Sequence, residues 1–232
     1  MGNLCIIPAR GGSKRVPRKN IRDFHGKPII AYSIEAALAS GLFEEVMVST
    51  DDEEISRIAM HYGAKVPFFR SAENADDFAT TMDVIQEVLK RYQENSVTFD
   101  FVCCIYATAP LVREERLREG LFKLKESNYQ TVFPVVAFSS SIWRSMEIDS
   151  EGDIKMIWPE NLNQRSQDLK KAYHDAGQWY WLNPLSVKDA IYSAHSGAII
   201  LEEREAQDID SLEDWRIAEI KYSLLKESDE KV

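Results

Sequence analysis

The pattern of hydrophobic and polar positions along this chain predicts alternating strands and helices. Short, wholly apolar runs, typical of buried strands, occupy residues 4–8, 46–50, 66–69, 99–106, 131–138, 178–182 and 197–201. Apolar residues recur at helical spacing over 29–40, 81–92, 114–125, 185–193 and 212–225. Apolar strands that alternate with helices are typical of a mostly parallel sheet covered on both faces. We therefore expect an α/β fold, formed as one domain by residues 1–232.

Local signals indicate where two of the helices end or begin. Gly41 is a favourable residue for the position after the helix over 29–40. The segment Thr50-Asp51-Asp52-Glu53 has the pattern of a capping box and predicts a further helix that runs toward His61. On this interpretation the two aspartates after the second strand serve the helix rather than a ligand.

Residues 139–163 interrupt the alternation. Two alternating runs flank the turn residues Ser150-Glu151-Gly152-Asp153, which predicts a β-hairpin. Its apolar residues are too many for a solvated protrusion and should pack against something. They are Ile142, Trp143, Met146, Ile148, Ile154, Met156, Ile157 and Trp158. Two alternatives stay open, namely an arm that packs on a second copy of the chain, which we favour, and a flap on the chain's own body.

Charge is unevenly distributed over this chain of ordinary globular composition. Its 28 Lys+Arg and 38 Asp+Glu residues give a net charge of −10. That total argues against a nucleic-acid partner, because proteins that bind duplexes usually present a basic surface. Residues 1–27 nevertheless carry seven basic side chains and one acid, a local charge of +6. This end of the chain is therefore suited to a polyanion.

The cysteines predict the compartment. Cys5, Cys103 and Cys104 lie in apolar runs without a C-x-x-C pair, and neither they nor the four histidines have the spacing of metal ligands. Such a set argues against disulfides and zinc and favours the cytoplasm. No apolar run approaches the roughly 20 residues that span a bilayer, and the N-terminus does not resemble a signal peptide. We therefore expect no membrane partner.

The basic end forms a loop after the first predicted strand. Residues 8–20 read PARGGSKRVPRKN, which is neither a P-loop nor a dinucleotide fingerprint. Two adjacent glycines allow backbone N–H groups to approach a phosphate closely, and Arg10, Lys14 and Lys19 supply positive charge. Ligands of open α/β sheets bind outside the carboxyl ends of the strands, where this loop would lie. A triphosphate site is favoured over a solvated basic turn or an RNA-contacting patch.

At this point the chain resembles a known family, the CMP-sialic acid synthetase group, whose members activate 2-keto sugar acids as CMP derivatives. The loop P-A-R-G-G-S-K-R-x-P-x-K-N is similar to the family's signature. Further motifs follow in the family's order, namely VSTD at 48–51, FRSAE at 69–73, Asp77 with Thr80-Thr81, ATAPL at 107–111 and DID at 208–210. The resemblance implies a Rossmann-like three-layer nucleotidyltransferase fold in which the hairpin is a dimerisation arm. It also implies an enzyme that joins CMP from CTP to a 2-keto sugar acid and releases pyrophosphate.

The resemblance implies a set of residues for CTP. The matching positions are Ala9, Arg10, Gly11, Gly12, Ser13, Lys14, Lys19, Asn20, Arg70, Ala79 and Thr81. Those in the loop would hold the triphosphate, with Lys14 and Lys19 counted as catalytic, and the last three would meet the cytosine ring. Without the resemblance, Arg70 can equally be a surface charge, and Thr80 or Thr81 can be a helix N-cap.

Asp208 and Asp210 are the candidate metal ligands and complete the catalytic set. Residues at i and i+2 of an extended segment face the same side, so both carboxylates can converge on one ion. Mg²⁺ prefers oxygen ligands and is usually held by one or two carboxylates plus substrate phosphates. A local role competes with metal binding, because Ser211 and Asp214 form a capping box and acids before a helix favour its dipole.

Two segments depart from the sialic acid pattern. Where the family has Q-P-T-S-P-L-R, this chain has Tyr106 for Gln and Val112 for Arg. The sequence HDAGQWYW at 174–181 lacks the N-G of the sialic enzymes and resembles the branch that activates pseudaminic acid, a nine-carbon 2-keto sugar acid. Arg165 matches an arginine used toward the sugar carboxylate, and its place after the hairpin suits a neighbouring subunit's site. The expected sugar-binding residues are Tyr106, Thr108, Arg165, His174, Asp175 and Gln178.

Alternatives to this function remain at the level of sequence. Within the same enzyme class, the sugar can be a sialic acid or an eight-carbon 2-keto acid. In another class, the DID segment can be the D-x-D metal motif of a glycosyltransferase. A non-catalytic nucleotide sensor on the same fold is the third alternative, because fold does not determine function.

Overall fold

Seven strands form the central sheet of the computed structural model, which describes residues 2–187, 190–193 and 195–229. In order across the sheet they are β11 (Ser196–Leu201), β6 (Thr131–Ala137), β10 (Trp179–Leu182), β5 (Val102–Ile105), β1 (Leu4–Pro8) and β4 (Glu45–Ser49), while β9 (Tyr173–Asp175) also pairs with β6. Strands β9 and β10 run antiparallel to their partners, and the other strands run in one direction. The mostly parallel sheet is confirmed.

Helices cover both faces of this sheet. They are α1 (Ile30–Ser40), α2 (Glu53–His61), α3 (Thr81–Glu94), α4 (Glu114–Lys125) and α5 (Leu212–Asp229). Side chains of β1 alternate between two cores, because successive residues of a strand point to opposite faces. Cys5 and Ile7 pack in the core that includes α1, α2 and α4, whereas Leu4 and Ile6 pack in the core that includes α3. Wholly apolar strands are therefore explained by burial on both sides.

The chain after α2 is not a strand, contrary to the expectation for residues 66–69. Lys65 alone makes an isolated parallel bridge, to Met47 in β4. The N–H of Arg70 then donates to the carbonyl of Thr50 at 2.8 Å. The apolar run thus follows the edge of the sheet and delivers Arg70 to the carboxyl end of β4 without forming a ladder.

The predicted helix over 185–193 is wrong for the residues described, and positions 188 and 189 lie outside them. Residues 185–187 and 190–193 form a turn and bends. Asn183 closes the turn, since its side-chain oxygen accepts the N–H of Leu185 and its carbonyl accepts that of Val187. Asn and Pro at 183–184 favour such a turn over a continuous helix.

Helix α2 is capped by Asp52 rather than Thr50. The carboxylate of Asp52 accepts two backbone N–H groups of the first helical turn, at 2.9 and 3.0 Å. The predicted capping box is therefore wrong by two residues. Asp51 is left outside the cap, and its carboxylate instead accepts the N–H of Gly11 at 2.9 Å.

The hairpin predicted within 139–163 is confirmed as β7 (Met146–Ile148) paired with β8 (Ile154–Met156). Gly152 occupies its turn with φ 91°, a conformation that favours glycine. The body of the described chain does not cover the hairpin, for Ile148 and Ile154 remain 71% and 62% exposed. A short second hairpin, β2 (Asp23–Phe24) with β3 (Lys27–Pro28), was not expected from the sequence.

The three cysteines are free and buried, and burial raises the pKa of each thiol. Their place within β1 and β5 explains this, because both strands lie in the middle of the sheet. Across the part of the chain that the structure describes, no helix combines the length and apolar character needed to cross a bilayer.

Candidate active site

A cavity of about 430 Å³ opens at the carboxyl ends of β1, β4 and β5. Of the residues predicted for the nucleotide, Arg10, Ser13, Lys14, Lys19, Asn20, Arg70, Ala79 and Thr81 line it. Two predicted sugar residues, Tyr106 and Thr108, complete the wall after β5. The fold thus brings together side chains from three distant parts of the sequence, at the edge of the sheet where open α/β folds bind ligands.

The loop after β1 is held in a defined shape by its own residues. The buried side chain of Asn20 donates to the carbonyl of Arg10 at 2.9 Å, which ties the two ends of the loop together. A Cβ atom at Gly11 would lie 2.7 Å from Oδ2 of Asp52, so the close approach of loop and helix requires glycine there. Ala9 is buried, and its N–H is committed to the carbonyl of Ser49 at 2.9 Å.

Two cations of the loop hold a carboxylate from across the cavity. Nη1 of Arg10 lies 2.9 Å from Oδ1 of Asp77 and also donates to the carbonyl of Asp76. Lys14 pairs with the same carboxylate of Asp77. The hydrogen bond from Lys14, with the charge of Arg10, lowers the pKa of Asp77. The basic end of the chain is therefore neutralised locally by acids that the sequence places far away.

Two other cations of the loop hold the segment that contains the candidate metal ligands. Nζ of Lys19 donates to the carbonyl of Ile209 at 2.6 Å and lies 3.7 Å from Oδ1 of Asp210. Nη1 of Arg15 lies 2.9 Å from Oδ2 of Asp210. The predicted triphosphate loop and the predicted metal pair are thus direct neighbours.

The capping box before α5 does not account for this aspartate pair. The N–H of Ser211 donates to Asp214 at 2.7 Å and the N–H of Asp214 donates to Ser211 at 3.2 Å, which confirms the box. The side chain of Asp210 takes no part in it and faces the loop instead. Helix capping therefore accounts for Ser211 and Asp214 but leaves Asp208 and Asp210 for another role.

The donor set suits a hard divalent cation. Loss of solvation raises the pKa of Asp208, and the charge of Asp210 adds to that shift, so the two carboxylates lie close enough to repel each other. Among the described residues no group of three or more His, Cys, Asp or Glu side chains is arranged around a metal. Two carboxylates that need further oxygen ligands fit Mg²⁺, which is commonly shared between carboxylates and substrate phosphates.

The residues expected at the cytosine ring are ordered by different contacts. Arg70 is only 8% exposed and donates to the carbonyl of Ser49 at 2.6 Å, and burial lowers the pKa of its guanidinium. Arg70 is therefore not a surface charge. Thr80 is the N-cap of α3 and forms a capping box with Asp83. Thr81 is free of that role, and its hydroxyl forms a 3.1 Å hydrogen bond with the phenol of Tyr106.

A group of tyrosines extends from the cavity to Asp175. The rings of Tyr106 and Tyr180 lie 5.3 Å apart. The hydroxyls of Tyr180 and Tyr192 both donate to the carboxylate of Asp175. Burial raises the pKa of Tyr106, so this residue acts as a neutral hydrogen-bonding group. The charge of Asp175 also contributes to the raised pKa of Asp208, which places the end of this network beside the aspartate pair.

The other predicted sugar residues do not line the cavity. Gln178 is buried and its side chain donates to the carbonyl of Glu205 at 2.6 Å. The exposed ring of His174 packs on Phe138, with centroids 4.9 Å apart. Arg165 is exposed on the hairpin side, where its Nε lies 2.8 Å from Oδ2 of Asp168. Within one chain, these three side chains are not assembled with Tyr106 and Thr108.

Sequence reasoning missed contacts whose partners are remote. Asp77 entered only as part of a motif, without its ion pairs to the loop. Arg116 and Glu205 form a bidentate pair although 89 positions separate them. The pattern of α4 marks Arg116 only as a polar position, and no local signal indicates its partner. Tyr192 was assigned to a helix, which hid its contact with Asp175.

A mostly parallel sheet with a basic, glycine-containing loop and an aspartate pair at its carboxyl edge defines a nucleotidyltransferase. The chain belongs to the cytidylyltransferase family, whose model matches residues 4–228. It is accordingly a CTP-dependent nucleotidyltransferase.

Individual relatives span the whole chain. It is 44% identical to the pseudaminic acid cytidylyltransferase of Campylobacter jejuni, over 98% of this chain and 99% of that protein. It is 34% identical to the CMP-N,N'-diacetyllegionaminic acid synthase of Legionella pneumophila, over 97% and 98%. The solved structure of CMP:2-keto-3-deoxy-manno-octonic acid synthetase in complex with CTP has the same fold. Its TM-score is 0.68 at 17% identity, over 98% of this chain and 100% of that one.

Proposed function

We propose that this protein transfers CMP from CTP to pseudaminic acid and releases pyrophosphate. The observation that supports this most directly is the full-length, 44% identity to a pseudaminic acid cytidylyltransferase. The sequence at the sugar end agrees with it, because Tyr106 and the segment at 174–181 depart from the sialic acid pattern. The legionaminic relative, at 34% identity, makes a related nine-carbon acid the second candidate.

In this proposal the loop after β1 holds the triphosphate of CTP. Arg10, Lys14 and Lys19 line the cavity and neutralise its charge, with the neighbouring Ser13 and the backbone N–H groups of the glycines as further donors. Arg70, Ala79 and Thr81, on the opposite wall, meet the cytosine ring. Binding to backbone and fixed side chains orients the α-phosphorus before reaction, which lowers the entropic part of the barrier.

The metal in this proposal is Mg²⁺, held by Asp208 and Asp210. When bound, it supplies charge neutralisation at the phosphate oxygens. Lys19 contributes from the protein side, since its ammonium bridges the loop and the aspartate segment. The two carboxylates thereby fix one side of the triphosphate while the loop fixes the other.

The reaction is a direct displacement at phosphorus. The anomeric hydroxyl of the sugar acid attacks the α-phosphorus of CTP, a new phosphorus–oxygen bond forms, and the bond to pyrophosphate breaks. The hydroxyl proton leaves to solvent or a nearby carboxylate. Arg10, Lys14 and Lys19 stabilise the charge that develops on the phosphates, so catalysis rests on orientation and electrostatics without a covalent enzyme intermediate.

The sugar acid lies at the Tyr106 end of the cavity in this proposal. Tyr106 and Thr108 are at its wall, and Asp175 is held by two tyrosine hydroxyls next to it. His174 and Gln178 flank Asp175 in the sequence and complete the predicted sugar set. An arginine is the expected partner of the sugar's carboxylate, because its planar fork matches carboxylate geometry.

We also propose a homodimer in which the hairpin of β7 and β8 packs on a second copy. The exposed apolar side chains of the hairpin support this, because such a surface is unfavourable in water. Arg165 lies on the hairpin side and does not line the cavity of its own chain. In the dimer it reaches the sugar carboxylate bound to the neighbouring subunit.

A cytoplasmic location is part of the same proposal. The three buried thiols are free, which is the usual state of cysteines in that reducing compartment. CTP is likewise a substrate of the cell interior.

Pyrophosphate release tests the proposed function. The purified protein is incubated with CTP, Mg²⁺ and a panel of pseudaminic, legionaminic, sialic and eight-carbon 2-keto acids. We expect release that depends on the sugar acid and has its highest kcat/KM with pseudaminic acid. A preference for another acid would transfer the proposal to that substrate, and no release with any of them would contradict it.

A further inference from the structure

The segment 202–210, which leads into α5, is fixed by side chains from several elements of the fold. At its start, Glu205 accepts a bidentate pair of hydrogen bonds from Nε and Nη2 of Arg116 on α4, both at 3.0 Å. The carboxyl of Glu205 is 7% exposed. A bidentate arginine–carboxylate pair fixes direction as well as distance.

The same turn is anchored through its backbone. The side chain of Gln178, before β10, donates to the carbonyl of Glu205 at 2.6 Å. Lys221 on α5 donates to the carbonyl of Ala206 at 2.7 Å. The carboxylate of Glu205 also accepts the N–H of Glu202 at 2.9 Å, which closes the turn. One residue thus receives contacts from α4, from the β10 edge and from its own turn.

The far end of the segment is anchored by the phosphate loop, because Lys19 donates to the carbonyl of Ile209 at 2.6 Å. Only Ala206, Gln207 and Asp208 lie between the two anchors. A Cβ at Gly177 would come within 3.3 Å of Asp208, so the chain also approaches this aspartate closely from the side. So short a span cannot absorb a displaced anchor, since each residue reaches about 3.5 Å at most.

We propose that Arg116 and Glu205 are positioning residues that hold Asp208 and Asp210 toward the nucleotide cavity. This inference rests on the proposed metal role of the two aspartates. Partners behind metal ligands orient those ligands, and their removal typically weakens metal binding by about 10- to 100-fold. Gln178 belongs to the same support, which gives this buried residue a role independent of direct sugar contact.

The test uses variants chosen for their residual charges. Glu205→Gln leaves Arg116 with its second partner, Glu119, at 3.0 Å, so no buried cation is stranded. The double variant Arg116→Gln/Glu205→Gln removes both charges and avoids an unpaired buried ion. Arg116→Lys keeps the charge but cannot form the bidentate fork. Arg118→Gln breaks an exposed pair with Glu114 on the same helix and is the matched control.

Two binding measurements separate positioning from a general loss of structure. Mn²⁺ is titrated by electron paramagnetic resonance into enzyme saturated with CTP, with the Mn²⁺ bound by CTP alone subtracted. CTP affinity is measured separately by calorimetry in EDTA. We expect Glu205→Gln and the double variant to weaken Mn²⁺ binding about tenfold or more. Arg116→Lys should give a smaller loss, CTP affinity in EDTA should stay unchanged, and Arg118→Gln should match wild type.

Hydrogen exchange supplies a readout that does not need the metal. Amides of residues 203–210 should exchange faster in Glu205→Gln, while those of β1 and β5 keep their protection. Unchanged Mn²⁺ affinity, or a CTP affinity in EDTA that falls by the same factor, would overturn the inference. A wild-type protein that binds no Mn²⁺ or releases no pyrophosphate would instead overturn the proposed function, so the two failures are distinguishable.

Discussion

Asp77 occupies the charged groups that are proposed to hold the triphosphate. Its Oδ1 lies 2.9 Å from Nη1 of Arg10, and the same carboxylate pairs with Lys14. The protein therefore presents a paired set of charges, and CTP must displace an internal carboxylate before its phosphates can bind. This pairing explains how a strongly basic loop is accommodated in a chain with a net charge of −10.

Replacement of Asp77 should strengthen phosphate binding. We expect Asp77→Asn to lower the KM for CTP and the Kd for inorganic tripolyphosphate by about two- to fivefold, because exposed ion pairs are worth up to about 1 kcal/mol. Enzyme kinetics and calorimetry measure the two constants. Glu73→Gln removes the same charge from an exposed site nearby and is the control. A higher KM for CTP in Asp77→Asn would show that Asp77 assists binding instead.

Lys14 should matter for turnover and little for stability. Its side chain is 78% exposed, so Lys14→Ala should unfold at nearly the same temperature as wild type. We expect kcat/KM for CTP to fall about 100-fold, because the ammonium stabilises charge that develops on the phosphates. Steady-state kinetics and a thermal melt test both statements. Unchanged kinetics would contradict the assignment of the loop.

Asp210 and Asp214 should respond in opposite ways. Asp210→Asn should abolish metal-dependent pyrophosphate release and leave the melting temperature nearly unchanged, because its carboxylate lies outside the capping box. Asp214→Ala should retain turnover but lower the free energy of unfolding by about 1 kcal/mol, the usual contribution of a helix cap. Retained activity in Asp210→Asn would mean that its acid serves only the helix dipole.

Asp52 should make stability depend on pH. The hydrogen bond from Arg18, with backbone donors of α2, lowers the pKa of Asp52 from 3.8 to about 2. A carboxyl with a lowered folded-state pKa stabilises the fold above its unfolded value, and this contribution is lost as the pH falls through the folded value.

At pH 6 we expect Asp52→Ala to lower the free energy of unfolding by about 1 kcal/mol. The difference from wild type should shrink as the pH falls from about 4 toward 2. Urea unfolding at a series of pH values measures it, with the exposed Glu53→Ala as control. A difference that stays constant over this range would contradict the ionised cap.

The hairpin should control association. Ile148→Asp places a charge on a side chain that is 71% exposed in the single chain, so the fold itself should tolerate it. We expect wild type to sediment as a dimer and the variant as a monomer, because a buried unpaired charge opposes association. Phe122→Asp, on an exposed site of α4, is the control. A wild-type monomer at micromolar concentration would contradict the proposed arm.

Local patterns predicted most of the fold because the forces behind them are local or averaged over a whole face. Wholly apolar strands reported burial on both sides, and helical spacing located α1, α3, α4 and α5 closely. The same rules failed where two local choices were comparable. Thr50 and Asp52 are both acceptable caps, and only the position of the loop beside Asp52 distinguishes them.

For the site, the sequence by itself determined the chemical groups and the order of their motifs. A glycine pair among cations, followed much later by two aspartates, specifies phosphate and metal chemistry wherever the chain places them. The tertiary structure alone decided which acid pairs with which base. Lys14 finds Asp77 and Arg116 finds Glu205 because crossovers of the sheet bring remote loops to one edge, and electrostatic pairing depends on distance in space. The unequal charge of the chain becomes a site only through those crossovers.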